Sequence, residues 1–534
     1  MIFRRLLAAF VSAALLGLGI TELPSLLPAA GESDLGSPAA AGVPATTREL
    51  ITVPGAPEPH TPHSLNRALA FRYARPGAPA PSPSVVLVLT PGMDSGANTL
   101  DPLAQALVAV YGTGLEVWVM APRGALLEDR RGIEAALSHQ NPDLALAYYY
   151  GHMAIDGRTF HRLTTMEVPF AAYWGLDVYL RDIHAIIGQA HARYPEALVV
   201  LGGHSVGGIL AALYAGYDFG RIPGSDLPPS PGAPEEVGAR DLAGLLLLDG
   251  VPVKLGLGIT PDRYLHGFWF PLLGRIPGVE SLTAMNPRAR AWPFMTVDRF
   301  GQALESILLD VISVYAYLRP QAASHFPFYP RRGLAITNEA LAAAMLSDQM
   351  EPDLLIRASI AVPLGIFQHV PDPAGINPGG LLDLESGQPA PGEQLIRLPS
   401  DEDLPARGKL RDLLAAILRP GADFTQWYFP WRLPLDIGLI ADELDTSDPF
   451  SGQYMSLTHM RETALPVFII GAGRGFIRSP QATEFYLSHI ATPPSKVAVR
   501  ILDGYAHLDI GLAAPNPAVP LILDWLRELI RQGE

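Results

Sequence analysis

The sequence has no cysteine among its 534 residues and very little lysine, with Lys254, Lys409 and Lys496 as the only examples. Without cysteine there can be no thiol nucleophile, zinc–thiolate site, disulfide or lipid-modified N-terminal cysteine. Basic residues are also outnumbered, because 38 Lys and Arg face 53 Asp and Glu for a formal net charge of −15. Proteins that bind nucleic acid neutralise its phosphates with clustered cations, so we expect no nucleic-acid partner.

Motifs for metals and cofactors are missing as well. The chain has no H-E-x-x-H, no G-x-x-x-x-G-K-[ST] and no EF-hand calcium loop. His60, His63 and the histidines between positions 139 and 161 are spaced in a way that suits no metal site. We therefore expect a protein without a metal ion or cofactor.

Apolar residues are plentiful. Hydrophobic residues make up 49% of the chain and charged residues only 17%, which excludes a disordered or fibrous protein. The length exceeds an ordinary domain of roughly 150 residues. We therefore expect a globular core with one large addition.

The N-terminus has the order of segments found in secretory signals. Arg4 and Arg5 precede the uncharged run Leu6–Ile20, and small residues follow near Ala30. This order predicts a signal peptide over residues 1–30, followed by a flexible linker over 31–47, and export to the periplasm, cell surface or medium. The alternative is a retained membrane anchor, although the run is shorter than the roughly 20 residues that span a bilayer.

Buried strands are predicted by continuous apolar runs, several of them next to helical patterns. These runs cover residues 84–90, 115–120, 197–201, 245–248, 467–470 and 497–502. Alternation of strand and helix is typical of an α/β fold, in which a mainly parallel sheet has helices on both faces.

The pattern changes between residues 251 and 461. Helical stretches over 300–318 and 338–350 alternate there with proline-rich and aromatic loops, and no strong strand pattern occurs. We therefore predict a core formed by residues 48–250 and 462–534, interrupted by a mostly helical insert over 251–461. Each part is long enough for a hydrophobic centre of its own.

A G-x-S-x-G motif, Gly203-His204-Ser205-Val206-Gly207, follows the predicted strand at 197–201. A serine in this setting lies on a very tight strand-to-helix turn, and its neighbours two positions away must lack bulk. The bare pattern is weak evidence, since a glycine-rich turn can simply join strand to helix. The strand before it and the small-residue helix after it favour a nucleophile at Ser205.

A serine hydroxyl becomes a good nucleophile only when a base takes its proton. His507 suits this role because it follows the predicted strand at 497–502 and precedes the last helix. The alternative is an ordinary loop histidine. We expect the nearby Asp509 to be solvated rather than to orient this loop.

With these residues the chain resembles the α/β-hydrolases of the lipase and esterase type, over the core segments only. The resemblance implies an oxyanion hole made by the amide of Val206 and by an amide in the loop after the third strand. In that loop, Thr90-Pro91-Gly92-Met93-Asp94-Ser95, we choose Met93 as the second donor. The alternative is a plain strand-to-helix turn.

The acid departs from the commoner family pattern. After the strand at 467–470 the family usually has an aspartate, but the sequence Gly471-Ala472-Gly473-Arg474-Gly475-Phe476 has none. A minority of the family has the acid at the end of the preceding strand, where Asp249 follows Leu248. We therefore choose Asp249. The alternatives are an acid from the insert (Asp436, Asp442 or Asp445) or no acid at all.

The resemblance also implies that the insert covers the active site as a cap. Aromatic residues in the segments 264–273 and 427–431 would then line an apolar pocket or, alternatively, form the core of the insert. We expect an exported serine esterase that acts on small-molecule or lipid esters and makes transient contact with a lipid surface. An acyltransferase and a catalytically silent lipid-binding protein are the alternatives. The oligomeric state has no signal in the sequence.

Overall fold

The computed structural model describes residues 46–76, 82–164, 166–221, 235–254, 259–270, 274–284, 302–326, 335–347, 368–371, 394–397, 410–441, 444 and 455–533. The predicted signal peptide, nearly all of the predicted linker, and Asp442 and Asp445 lie outside these residues. Among the described helices, none is both long enough and apolar enough to cross a bilayer.

Eight strands form the main sheet, in the spatial order β1-β2-β4-β3-β5-β6-β7-β8. Strand β2 is antiparallel to β1 and β4, and all neighbours from β4 to β8 are parallel. The predicted mainly parallel α/β sheet is confirmed, with all six predicted runs in it. The strands are β1 Thr47–Pro54, β2 Arg67–Ala74, β3 Val85–Thr90, β4 Leu115–Ala121, β5 Leu198–His204, β6 Gly244–Leu248, β7 Val467–Ala472 and β8 Val497–Leu502.

Helices cover the sheet and fill most of the described insert. They are α1 Asp101–Tyr111, α2 Arg131–Ser138, α3 Asp143–Tyr149, α4 Leu176–Arg193, α5 Val206–Ala215, α6 Pro261–His266, α7 Val279–Thr283, α8 Gln302–Leu318, α9 Asn338–Leu346, α10 Leu410–Ile417, α11 Arg432–Ile440, α12 Glu484–Leu487, α13 Asp509–Leu512 and α14 Ala518–Gly533.

The two faces of the sheet carry separate hydrophobic clusters, as the two-residue period of a strand requires. In β3, Val86 and Val88 pack in a cluster with residues of α4 and α5. Val85, Leu87 and Leu89 point to the other face and pack with residues of α1 and α14. All five side chains are completely buried. This explains why β3 has no polar alternation.

The described part of the insert is helical, with a few short strands that the sequence did not indicate. A hairpin pairs Phe268–Phe270 with Gly274–Ile276, and a three-stranded sheet joins Ala335–Ile336, Gln394–Arg397 and Gln368–Pro371. Strands this short leave no periodic pattern. Helix α8 begins two residues after the predicted start at position 300, and α9 ends at Leu346 rather than near 350. The predicted domain boundaries stay a prediction.

The insert shares a hydrophobic cluster with the core. Ile133 of α2 and Tyr148 of α3 belong to the same cluster as Val311 of α8, Leu341 of α9 and Leu414 of α10. Burial of apolar surface stabilises such contacts by about 25 cal/mol per Å². The insert therefore packs on the core through a continuous apolar interior.

Candidate active site

Ser205 lies at the turn between β5 and α5, with φ 59° and ψ −125°. Residues with a side chain rarely adopt a positive φ, so this backbone is strained. The neighbouring chain segments approach very closely. A Cβ atom on Gly203 would lie 2.2 Å from the Gly207 carbonyl oxygen, and one on Gly207 would lie 2.1 Å from the Thr90 carbonyl oxygen. Glycine at both positions is therefore a steric requirement of this turn.

The loop after β8 places His507 against Asp249, which follows β6. His507 Nδ1 lies 2.6 Å from Asp249 Oδ2, and both residues are buried. An imidazole that donates from Nδ1 has Nε2 as its basic nitrogen. The structure thus brings two of the three predicted catalytic side chains into hydrogen-bond distance, while their roles stay a prediction.

The loop after β7, which lacks an acid, holds the carboxylate of Asp249. Backbone amides of Ala472 and Ile477 donate to its Oδ1 at 3.0 and 2.8 Å, and the amide of Phe476 donates to its Oδ2 at 3.0 Å. A Cβ atom on Gly475 would lie 2.0 Å from Asp249 Oδ2. The glycine-rich sequence after β7 therefore lets the backbone surround an acid supplied by β6.

The pKa of Asp249 reflects opposing effects. Burial raises it, but the hydrogen bond from His507, the charge of that imidazole and the amides of Ala472 and Ile477 together bring it below its usual value. The carboxylate is consequently ionised where His507 would act as a base.

His204, the residue before the serine, makes a contact that the sequence did not suggest. Its Nε2 donates to the His507 carbonyl oxygen at 2.9 Å, and the two ring centroids are 4.3 Å apart. Burial, followed by repulsion from His507, lowers the pKa of His204 to about 3. His204 is therefore neutral near pH 7 and supports the His507 loop. Only its place inside the G-x-S-x-G motif could have signalled this.

The loop after β3 lies against the serine. A Cβ atom on Gly92 would be 2.9 Å from Ser205 Cβ and 3.3 Å from Ser205 Oγ. Among the described residues, the amides of Met93 and Val206 donate no hydrogen bond, which is the state expected of oxyanion donors before substrate binds. The Ser205 hydroxyl likewise has no hydrogen-bond partner within the described part of the chain. Catalytic hydrogen bonds often tighten only when substrate binds.

These positions decide the fold. A strained serine follows the fifth strand, an acid follows the sixth, a histidine follows the eighth, and a glycine-containing loop after the third strand covers the serine. The chain has the α/β-hydrolase fold. The sheet order and the chain order of serine, acid and histidine both agree with it.

No protein-family model and no curated protein matches the sequence. Among solved structures, a Sulfolobus solfataricus protein described as a candidate lipase is 14% identical, covering 90% of this chain and 94% of its own, with a TM-score of 0.45. A peroxisomal α/β-hydrolase of Saccharomyces cerevisiae is 13% identical over 91% and 89%, with a TM-score of 0.37. An α/β-hydrolase fold protein from Nakamurella multipartita is 12% identical over 91% and 100%, with a TM-score of 0.34.

Of the other carboxylates considered as the acid of this α/β-hydrolase fold, the structure describes Asp436, which lies elsewhere. Asp436 accepts hydrogen bonds from the Leu176 amide at 2.8 Å and from the Tyr264 hydroxyl at 2.8 Å, so it fixes the start of α4. Asp442 and Asp445 are outside the described residues. Asp249 is thus the carboxylate that the structure shows in contact with His507.

Our expectation for Asp509 was wrong, because the side chain is buried rather than solvated. Its Oδ2 accepts a hydrogen bond from the Ala506 amide at 2.7 Å. A buried carboxylate needs such partners. Asp509 therefore closes the turn that presents His507.

A narrow cavity that opens to solvent lies beside the predicted oxyanion loop. Its walls come from β3, β4, α4, α5 and the insert, and most of them are apolar. The lining residues are Thr90, Pro91, Gly92, Met120, Ala121, Pro122, Arg123, Tyr179, Asp182, Ile183, Val206, Leu210, Gln426, Phe429 and Leu433. Because Gly92 and Val206 line it, this cavity is next to the serine turn.

The predicted aromatic lining is correct only in part. Phe429 lines this cavity, whereas Trp427 and Tyr428 pack in the hydrophobic cluster that the insert shares with the core. Tyr264 packs inside the insert with residues such as Leu282. Within the described residues, most of these aromatic side chains are therefore structural.

Proposed function

We propose that this chain is an exported serine hydrolase that cleaves carboxylic esters through an acyl-enzyme intermediate. The observation that carries the proposal is the 2.6 Å hydrogen bond between His507 Nδ1 and Asp249 Oδ2. It leaves Nε2 as the basic nitrogen of His507, whose ring centroid lies 4.3 Å from that of His204, the residue before Ser205. The lack of an acid after β7 favours a catalytically silent protein. The contact between His507 and Asp249, which follows β6, argues against that alternative.

The reaction follows from the positions of these groups. Ser205 Oγ attacks the ester carbonyl while His507 Nε2 takes its proton, and the imidazolium is stabilised by Asp249. The amides of Met93 and Val206 donate to the oxyanion of the tetrahedral intermediate. His507 then gives the proton to the departing alcohol. In the second half, His507 Nε2 takes a proton from water, whose oxygen attacks the acyl carbon. The tetrahedral intermediate then breaks its bond to Ser205 Oγ, His507 returns the proton to Oγ, and the carboxylic acid leaves.

The cavity supports a substrate with an apolar acyl or alcohol group. Met120, Ile183, Leu210, Phe429 and Leu433 give its walls a largely apolar character. Binding sites for such groups are concave, apolar and provided with a few polar groups that fix orientation. We expect small-molecule or lipid esters to place this group beside the serine.

The proposed export depends on the N-terminal sequence. Arg4 and Arg5, the apolar run Leu6–Ile20 and the small residues after it have the order of a cleavable secretory signal. Expression of the full chain followed by mass determination of the mature N-terminus tests this. Cleavage near residue 30 supports export, whereas an intact N-terminus in the membrane fraction supports a retained anchor.

Turnover of p-nitrophenyl butyrate tests the catalytic proposal. Ser205→Ala removes the nucleophile, so turnover should fall to the background rate while the melting temperature stays nearly unchanged. Wild-type turnover in the folded variant would contradict the proposal. Addition of a competing alcohol separates hydrolysis, which releases the free acid, from acyl transfer, which produces a new ester.

A further inference from the structure

A segment of the insert runs along the loop that carries Met93. We name residues 417–426 the strap. The Gly96 amide donates to the Phe424 carbonyl at 2.8 Å, the Asn98 amide donates to the Asp423 carbonyl at 2.9 Å, and the Gln426 amide donates to the Asp94 carbonyl at 2.9 Å. Ser95 and Thr425 face each other as an antiparallel bridge between the two segments. The strap thus pairs with the loop as an extra strand would.

The side chain of Asn98 extends this connection. It is completely buried, and its Nδ2 lies 3.0 Å from the Ile417 carbonyl oxygen and 2.9 Å from the carbonyl oxygens of Arg419 and Ala422. Its Oδ1 accepts from Arg48 Nη2 at 2.9 Å. An amide has two N–H donors and one acceptor oxygen in a short planar group, and aspartate would offer these carbonyls no donor. Asn98 therefore holds the turn of the strap against the loop.

The strap and the loop that carries Met93 approach each other closely. A Cβ atom on Gly96 would lie 2.3 Å from both Cγ and the carbonyl oxygen of Asp423. Asp94, the residue after Met93, has a positive φ of 54°, which non-glycine residues seldom adopt. The hydrogen bond from the Gln426 amide fixes the carbonyl of this strained residue. The backbone immediately after Met93 is therefore set by the strap.

Contacts at both ends of the strap tie it to the core. At one end, Arg419 Nη1 donates to Asp101 Oδ1 at 3.0 Å, at the start of α1. Just beyond the other end, the amide of Trp427 donates to Glu128 Oε1 at 2.8 Å. Within the insert, the Trp427 indole donates to Asp310 Oδ2 at 3.0 Å. These contacts oppose any movement of the strap away from the loop.

We propose that Asn98 is a positioning residue for the Met93 amide and that the strap is a fixed wall of the active site, not a lid that opens. The inference rests on the proposed function, because it assigns the Met93 amide to the oxyanion hole. An oxyanion donor must lie about 2.7–3.1 Å from the developing charge, and loss of one donor costs about 100- to 1000-fold in kcat. The strap fixes the loop on which this distance depends.

Asn98→Ala tests the positioning role with p-nitrophenyl butyrate. Since the donor is displaced rather than removed, kcat should fall by about 10- to 100-fold, with a smaller change in KM and no shift of the pH at which kcat/KM is half-maximal. Asn338→Ala is the matched control, because its buried amide donates to the Arg319 carbonyl at 2.9 Å inside the insert. This control should lower the melting temperature and keep kcat. Wild-type kcat in Asn98→Ala, or an equal loss in the control, overturns the positioning role.

An engineered disulfide tests whether the strap is a fixed wall. Because the native chain has no cysteine, no other thiol can compete for the disulfide. Ser95 and Thr425 form a non-hydrogen-bonded antiparallel pair, whose Cα separation of about 4.5 Å lies within the range that a disulfide spans. In the double variant Ser95→Cys/Thr425→Cys, the oxidised and reduced forms should have the same kcat within about twofold if the wall stays in place. Loss of activity on oxidation that is restored by a reductant overturns the inference.

Hydrogen exchange separates failure of this inference from failure of the proposed function. If the wild type hydrolyses no ester and a fluorophosphonate does not label Ser205, the proposed function has failed. Exchange of the amides in residues 92–99 still reports on the strap, because Asn98→Ala should accelerate it and Asn338→Ala should not. Equal protection in all three proteins overturns the role of Asn98 without reference to activity.

Discussion

The histidine side and the oxyanion side of the candidate site are held by different parts of the chain. The pKa of the buried carboxyl groups is shifted in opposite directions on the two sides. On the histidine side, the core backbone donates three hydrogen bonds to Asp249, and its pKa is lowered. On the oxyanion side, the insert packs Asp310 and Asp423 near Glu128, and Arg130 supplies the one guanidinium beside them among the described residues. Burial raises the pKa of all three carboxyl groups.

This difference distinguishes a carboxylate that takes part in catalysis from carboxyl groups that hold the insert on the core. A carboxylate that must stabilise an imidazolium needs to be ionised, and backbone donors secure that state without adding a competing charge. One guanidinium cannot offset the desolvation of three buried carboxylates, so ionisation of all three is unfavourable. The first arrangement suits catalysis, and the second suits a contact that holds the insert on the core.

Removal of the charge on Asp249 should have the largest effect. In Asp249→Asn the imidazole loses its acceptor at Nδ1 and the imidazolium loses its stabilising charge, so kcat should fall by about 1,000- to 10,000-fold. Steady-state kinetics on p-nitrophenyl butyrate measures this. The control is Asp436→Asn, which alters a buried carboxylate of the insert and should keep kcat. A larger loss of kcat in the control would show that the acid comes from the insert.

Gly475→Ala sharpens the comparison on the histidine side. The new Cβ would lie 2.0 Å from Asp249 Oδ2, so the carboxylate or the loop must move. Displacement of a catalytic group by about 1 Å costs about 100-fold in rate, and we expect a loss of about 10- to 100-fold in kcat. Gly473→Ala is the matched control, since its Cβ would meet its nearest neighbour at 3.2 Å. Equal kcat in the two variants would mean that the β7 loop does not position the acid.

A smaller effect is expected at His204. His204→Leu removes the hydrogen bond to the His507 carbonyl, and we expect kcat to fall about 3- to 10-fold through a looser His507 loop. Burial lowers the pKa of His204 to about 3, so the side chain carries no charge near neutral pH. The acid limb of the pH profile of kcat/KM should therefore keep its midpoint. A shifted midpoint would show that His204 is charged in the active enzyme.

The buried carboxyl groups on the oxyanion side, unlike Asn98, should affect stability rather than rate. Burial raises the pKa of Asp310 from 3.8 to about 6, against the lowering effect of Arg130. Because the folded pKa is above the unfolded value, the contribution of Asp310 to the free energy of unfolding is complete below about pH 4. It is lost as the pH rises through about 6, a change of about 3 kcal/mol. Melting temperatures of wild type and Asp310→Asn, measured from pH 4 to 7, test this. The melting temperature of Asp310→Asn should rise relative to that of the wild type as the pH increases. A difference between the two melting temperatures that does not change with pH would contradict the raised pKa of Asp310.

The sequence predicted most of the core because the signals there are local. Apolar runs located six strands, and the flanking glycines of Ser205 located the serine turn. Asp249 and His507 could be chosen because each follows a strand. The contacts that hold these two residues could not be predicted. The amide of Ile477 and the carboxylate of Asp249, for example, are separated by 228 positions in sequence, and such a contact leaves no periodic pattern.

The insert was harder to predict for the same physical reason. Asn98 binds carbonyls of residues more than 300 positions away, and no pattern within a short window of sequence encodes such a partner. Asp509 is likewise buried against the expectation from sequence, and the Ala506 amide compensates its burial. Long-range satisfaction of polar groups was thus the part of the site that sequence reasoning missed.

Covalent labelling by a fluorophosphonate, with the modified residue located by mass spectrometry, tests most directly whether His507 and Asp249 activate the serine. The wild type should be modified at Ser205 within minutes, and His507→Ala, still folded, should react at least about 100-fold more slowly. Modification of another residue, or equally fast labelling in both proteins, would contradict the account.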